Sequence, residues 1–191
     1  MKKKKLTRMV TASLLLALIL LFGLTSLGMW NFGIVYISLL CLPVIIGTVT
    51  LSLRWGCILG LAFGAVSFFT NMRAPSALVA PILEHGILWL ILLCFVPRLM
   101  VPVIAHLFVT LVNKHKKNTA FLFIPAIAGS LTNTFLFLGG ILFLYTVIGV
   151  DNPTILTTLG SIVLAGGLPE AAVCGIVVPP VILALKKAHL A

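Results

Sequence analysis

The chain has 191 residues, of which 61% are apolar and only 8% charged, with thirteen Lys and Arg against three acids and a formal net charge of +10. Its mean hydropathy is +1.27. So few polar groups cannot cover a surface in water, which excludes a disordered chain, a nucleic-acid binder and an ordinary cytosolic enzyme.

Lipid is the solvent this composition needs, and the length suits one integral membrane domain over residues 1–191. A spanning helix takes about 20 mostly apolar residues. Residues 1–8 carry Lys2, Lys3, Lys4, Lys5 and Arg8, a basic cytoplasmic anchor of membrane topology rather than a lipid- or RNA-specific site. The run at 9–27 has the flavour of a signal peptide. It lacks a small-x-small cleavage site followed by a soluble domain, and more apolar segments come after it, so it is expected to stay as the first span. Within it Ser13 and Ala17 form a small-xxx-small pair.

An uncharged turn at 28–33 leads to a second span at 34–53, broken by Pro43. The basic turn Arg54-Trp55-Gly56 precedes a short third span at 57–70. Gly56, Gly60 and Gly64, at i, i+4 and i+8, make a smooth strip for close helix contact. Residues 71–86 hold Arg73, Pro75, Pro81, Glu84 and His85 and read as an outer loop. A fourth span at 87–112, a basic loop at 113–118 and a long fifth span at 120–148 follow. A turn with Asp151 and Pro153 then leads to a sixth span at 155–185, which ends in Lys186-Lys187.

The expected fold is therefore all-α, a bundle of six transmembrane helices. Six crossings put both termini on one side, and eleven of the thirteen basic residues fall there, which predicts an N-in, C-in topology. Cys41, Cys57, Cys94 and Cys174 lie in or beside apolar stretches without CxxC spacing, so no metal site or disulfide framework is expected.

Three polar residues resist explanation by lipid. Arg98 sits inside the fourth span, where an unpaired charge is costly. It is either an anion-binding group, suited by its planar fork to a carboxylate, or a structural partner for Glu170, or a snorkelling side chain. Glu170 follows Gly166-Gly167-Leu168-Pro169, a run expected to break or kink the sixth helix. It is either a pocket wall or the counter-charge of a helix crossing. Asn133, in Gly129-Ser130-Leu131-Thr132-Asn133-Thr134, cannot satisfy its amide on its own helix and needs a cross-helix partner or a ligand. Asn71 and Arg73 open the outer loop after Phe68-Phe69. They are a solvated helix end, or part of a lid with aromatic packing from Phe68, Phe69 and Phe95. There is no Walker A, HExxH or GxSxG motif, so the chain carries no ATPase or hydrolase signature of its own.

Taken in order, Leu42-Pro43-Val44-Ile45-Ile46-Gly47, Arg54-Trp55-Gly56-x-x-x-Gly60-x-x-x-Gly64, Val96-Pro97-Arg98, Gly129-Ser130-Leu131-Thr132-Asn133-Thr134 and Pro169-Glu170-Ala171 with Val178-Pro179-Pro180 resemble the S components, the vitamin-binding membrane subunits of energy-coupling factor (ECF) transporters. The likeness covers residues 42–185. It implies a bacterial plasma-membrane subunit, not an enzyme and without a cofactor, that captures a vitamin near the outer face. Such a subunit docks on a membrane scaffold (T) subunit and two ATPase subunits, which use the ATP.

The pair Arg98 and Asn133 is most similar to the pantothenate-specific branch. That resemblance implies Arg98 on the carboxylate, with Asn71 and Asn133 on the amide and hydroxyls. Phe68, Phe69, Phe95, Thr132, Gly167 and Glu170 complete the expected site. Docking is expected at Ser13 and Ala17, where the usual family pattern is Ala-x-x-x-Ala. Gly167 departs from the Asn found in many members. The alternatives are an S component for cobalamin, folate or riboflavin, and a self-sufficient proton-coupled transporter using Glu170 and Arg98. An intramembrane enzyme is disfavoured by three scattered acids.

Overall fold

The computed structural model describes residues 2–25, 29–31, 36–115, 119–150 and 155–188. Of the basic loop expected at 113–118, residues 113–115 continue a helix and 116–118 lie outside the described residues, as do 151–154 of the later turn, with Asp151. Helix α1 runs Lys2–Leu24. Two three-residue strands, β1 (Met29–Asn31) and β2 (Tyr36–Ser38), pair antiparallel with Trp30 opposite Ile37. The helices α2 (Cys41–Thr50), α3 (Leu53–Arg73), α4 (Ala80–Glu84) and α5 (Ile87–His115) follow. A 3-10 turn, Thr119–Leu122, leads into α6 (Phe123–Ile148). Then come α7 (Ile155–Ile162), a π turn (Val163–Gly167) and α8 (Leu168–Lys187). Apart from the strand pair, the described chain is helical.

Among the described residues five helical segments are long and apolar enough to cross a membrane: Lys5–Leu24, Leu53–Arg73, Ile87–Val112, Phe123–Ile148 and Ile155–Lys187. The expected second span is the exception. The described part of that run, 36–52, divides into β2, a turn and the ten-residue α2, of which Cys41 to Thr48 are all buried. Pro43 does not break this helix. It stands in the first turn, where the missing N–H has no intrahelical partner to lose. The third helix is longer than expected, because Arg54-Trp55-Gly56 forms its first turn instead of a loop and Asn71 to Arg73 form its last.

The sixth segment departs from expectation in a different way. Pro169 has no N–H for the carbonyl one turn back, which predicts a break or a kink, and the helix does not break. Instead the helix widens into the π turn, and the Leu168 N–H reaches the Val163 carbonyl five residues back. The segment stays continuous and absorbs the proline in one loosened turn. At the other end of the bundle, α6 stops at Gly149, whose φ of 74° is the left-handed conformation that glycine adopts without a Cβ penalty.

Helix α5 is central and packs on α3, α6 and α2, while α8 packs on α6 and α2, and α1 on α3 and α2. The glycine strip does what its spacing predicts. A Cβ at Gly60 would lie 2.7 Å from the Arg98 carbonyl oxygen, and one at Gly64 2.9 Å from Phe95 Cδ1, so only glycine lets α3 and α5 approach this closely.

The apolar interior forms two clusters. The larger draws Ile19 from α1, Val44 and Ile45 from α2, Leu59 and Phe63 from α3, Val101 and Ala105 from α5, Ala126 from α6, and Cys174 and Val178 from α8. The smaller gathers Val79 and Ile82 with Leu90, Leu93 and Cys94 of α5, Leu138, Ile141 and Tyr145 of α6, and Leu159 of α7. Helices α5 and α6 and the α7–α8 segment each change cluster partway along. The residues at the three change-points are Arg98, Asn133 with Thr134, and Gly166 to Glu170.

Candidate functional site

At that seam lies a cavity of about 400 Å³, within the range of small-molecule sites. Helix α3 contributes Phe63. Helix α5 contributes Arg98, and α6 contributes Asn133, Thr134, Phe137, Leu138 and Ile141. Ile162, Gly166 and Gly167 form the wall at the π turn, Glu170 comes from α8, and Ser76 to Leu78 close the loop end. Apolar carbon dominates the lining, and the few polar groups converge from three helices.

Arg98 is 6% exposed. Its position follows from the residue before it. Pro97 cannot offer an N–H to the Leu93 carbonyl, which a regular helix would bond. Arg98 Nη1 donates to that carbonyl at 3.2 Å, repairing the gap. Its Nη2 donates to Ser67 Oγ on α3 at 2.9 Å, and the Ser67 hydroxyl lies 3.8 Å from Cys94 Sγ. The guanidinium carbon sits 4.4 Å from the Phe137 ring centroid and 5.2 Å from that of Phe63. In a desolvated setting such a contact is worth about 2 kcal/mol. Nε has no hydrogen-bond partner. The guanidinium is thus buried, fixed at two nitrogens, held by two rings, and not saturated.

Asn133 is buried, and its Oδ1 has no hydrogen-bond partner. A buried amide oxygen left in this state marks either strain or a place for a ligand group. Thr134 and Glu170 are buried beside it in the same wall. Gly167 meets α6 closely: a Cβ there would fall 2.5 Å from Thr134 Cγ2, so a larger residue at 167 would have to displace the threonine.

The loop that closes the cavity is anchored at the start and the middle of its short helix. Val79 and Ile82 are 1% and 0% exposed. Tyr145 Oη donates to the Leu78 carbonyl at 2.9 Å, tying the loop to α6.

Of the residues singled out from sequence, Arg98, Asn133, Gly167 and Glu170 come together around the cavity. The others do not line it. Asn71 Nδ2 donates to the Ser67 carbonyl on its own helix at 2.8 Å. Thr132 Oγ1 likewise bonds the Ala128 carbonyl. Phe69 is 62% exposed. Phe68 and Phe95 pack against each other, with ring centroids 6.4 Å apart, and against the smaller cluster. Ser13 and Ala17 lie exposed on α1, remote from the cavity in the fold.

Sequence reasoning missed Phe63, Ser67, Thr134 and Phe137. A signal existed for three of them. Ser67 continues the glycine strip at Gly64+3, Phe63 stands three residues after Gly60, and Phe137 stands four after Asn133. Each shares a helix face with a residue already suspect.

The arrangement can hold one anion and several hydrogen-bonding groups out of water. A family model described as the substrate-specific component of ECF transporters matches residues 7–182. The pantothenic acid transporter PanT of Lactococcus lactis subsp. cremoris (strain MG1363) is 30% identical over 200 residues, covering 99% of this chain and 98% of that relative.

Proposed function

The chain belongs to the family of substrate-specific components of ECF transporters, and from that premise we propose that it is a high-affinity pantothenate-capturing subunit of such an importer. The observation that carries the substrate is Arg98, a buried cation in a vitamin-sized cavity beside the unpartnered Asn133 oxygen. Pantothenate offers one carboxylate, one amide and two hydroxyls. Arg98 takes the carboxylate through its planar fork. Asn133 takes the amide, and Thr134 and Glu170 receive the hydroxyls. Phe63 and Phe137 cover the carbon skeleton. The name of the Lactococcus relative supports the same ligand, and a cavity of about 400 Å³ suits a small vitamin.

The chain is a membrane protein that transports without chemistry of its own. Energy comes from two ATPase subunits acting through a membrane scaffold, and exposed Ser13 and Ala17 on α1 give that scaffold a flat approach. The six apolar segments make six crossings, N-in and C-in. The short α2 completes its crossing with the extended residues ahead of it. The placement of eleven of thirteen basic residues on the terminal side supports this topology.

The test is equilibrium binding to the purified chain in detergent, without ATP or partners, using pantothenate with folate, riboflavin and cobalamin alongside. Tight binding of pantothenate alone is expected. Preference for another of the four would move the substrate, and binding of none would overturn the capture role.

A further inference from the structure

Ser67 does not line the cavity, yet it holds Arg98 across the α3–α5 contact. Its oxygen accepts the 2.9 Å bond from Arg98 Nη2, and its own proton is directed at Cys94 Sγ, 3.8 Å away. Cys94 and Arg98 lie one turn apart on α5, so the serine links two side chains of one helix by way of another. All three residues are buried. With the proton given to sulfur, the Ser67 lone pair stays available to the guanidinium. Nη1 is fixed separately at the Leu93 carbonyl, and the flat faces meet Phe63 and Phe137. These contacts allow one plane for the fork.

Resting on the reading of Arg98 as the carboxylate-binding group, we propose that Ser67 is a positioning residue for substrate selection. It sets the plane of the Arg98 fork so that the cavity favours a carboxylate over a neutral group of similar size. A bidentate carboxylate contact needs its donors coplanar with the ligand, whereas a neutral hydroxyl accepts from almost any direction. Without Ser67, Nη2 is left buried and unsatisfied, and the guanidinium turns to find another acceptor. Glu170 in the same cavity is the charged group within its surroundings to compete for it.

The experiment is calorimetric titration of the purified chain in detergent with pantothenate and with pantothenol, in which a hydroxymethyl replaces the carboxylate. The quantity read is the ratio of the two affinities. Ser67→Ala is expected to weaken pantothenate roughly tenfold or more while leaving pantothenol within about twofold. Ser67→Thr should keep the ratio, and Ser67→Val, of the same shape without the hydroxyl, should lose it. This Thr and Val pair decides the matter if the alanine variant does not fold. In an Arg98→Ala background, Ser67→Ala should change neither affinity further. An equal loss for both ligands, or an unchanged ratio in the Ala and Val variants, would reduce Ser67 to packing and overturn the proposal. A wild-type chain that binds neither ligand would overturn the Arg98 reading itself, visible before any variant is made.

Discussion

The larger apolar cluster, built around α2, and the smaller one, beneath residues 74–86, use the same kinds of side chain in different settings. The larger is welded. Glycines at 47, 56 and 60 bring helices so close that an added Cβ would fall within 3 Å of a neighbour, and eight of the ten α2 residues are buried. The smaller pairs Leu90, Leu93 and Cys94 of α5 with Leu138, Ile141 and Tyr145 of α6, and it is capped by a loop and a five-residue helix that one tyrosine hydrogen bond ties down. Every buried polar group that lines the cavity lies where the two clusters meet. The polar groups of the cavity therefore sit between a tightly packed helical half and a half covered by a short capping segment.

Substitutions in the two halves and between them test this contrast. The largest effect is expected at the seam. Arg98→Ala should lower pantothenate affinity by about 2–5 kcal/mol, the range for deleting one partner of a buried charge contact, with the helical circular dichroism signal retained. An unchanged affinity by calorimetry would remove Arg98 from the site. In the welded half, Gly60→Ala places a Cβ 2.7 Å from the Arg98 carbonyl and should cost about 1–3 kcal/mol through overpacking. Gly139→Ala on α6, with nothing within 4 Å, should leave the melting temperature in detergent unchanged or raise it. If Gly60→Ala is tolerated as well as Gly139→Ala at an exposed position, the close α3–α5 approach does not depend on glycine.

Asn133→Ala should weaken binding by about 1–3 kcal/mol without shifting the melting temperature. Tyr145→Phe removes only the bond to Leu78 and should cost about 1 kcal/mol. It should appear as faster ligand release in stopped-flow measurements more than as slower capture. A change confined to the association rate would mean that the loop is not tied in this way.

The sequence revealed groups that lipid cannot host. Arg98, Asn133 and Glu170 stand out in apolar runs because their burial is costly without a partner, and all three line the cavity. Ser67, Phe63 and Phe137 shared helix faces with suspect residues, but that signal was faint because serine and phenylalanine are at home in a span. Their importance appears only once α3 and α6 are placed against α5. Phe68, Phe69 and Phe95 looked right by nearness to the loop, but the rings that meet the guanidinium lie deeper in α3 and α6. The six apolar segments were legible, yet hydropathy measures only how apolar a run is. It could not distinguish one helix over 34–53 from a strand, a turn and a ten-residue helix, nor a broken helix at Pro169 from a widened turn.

One consequence of the Pro97 gap concerns inheritance. A chain that loses Pro97 but keeps Arg98 regains an amide proton for the Leu93 carbonyl, releasing the guanidinium from one of its two anchors. A chain that loses Arg98 but keeps Pro97 strands that carbonyl in a buried helix. Neither single step is neutral, so the two neighbours form a unit of descent. Relatives that recognise an anion here should carry Pro97 and Arg98 together, and those that have turned to an uncharged cargo should have changed both.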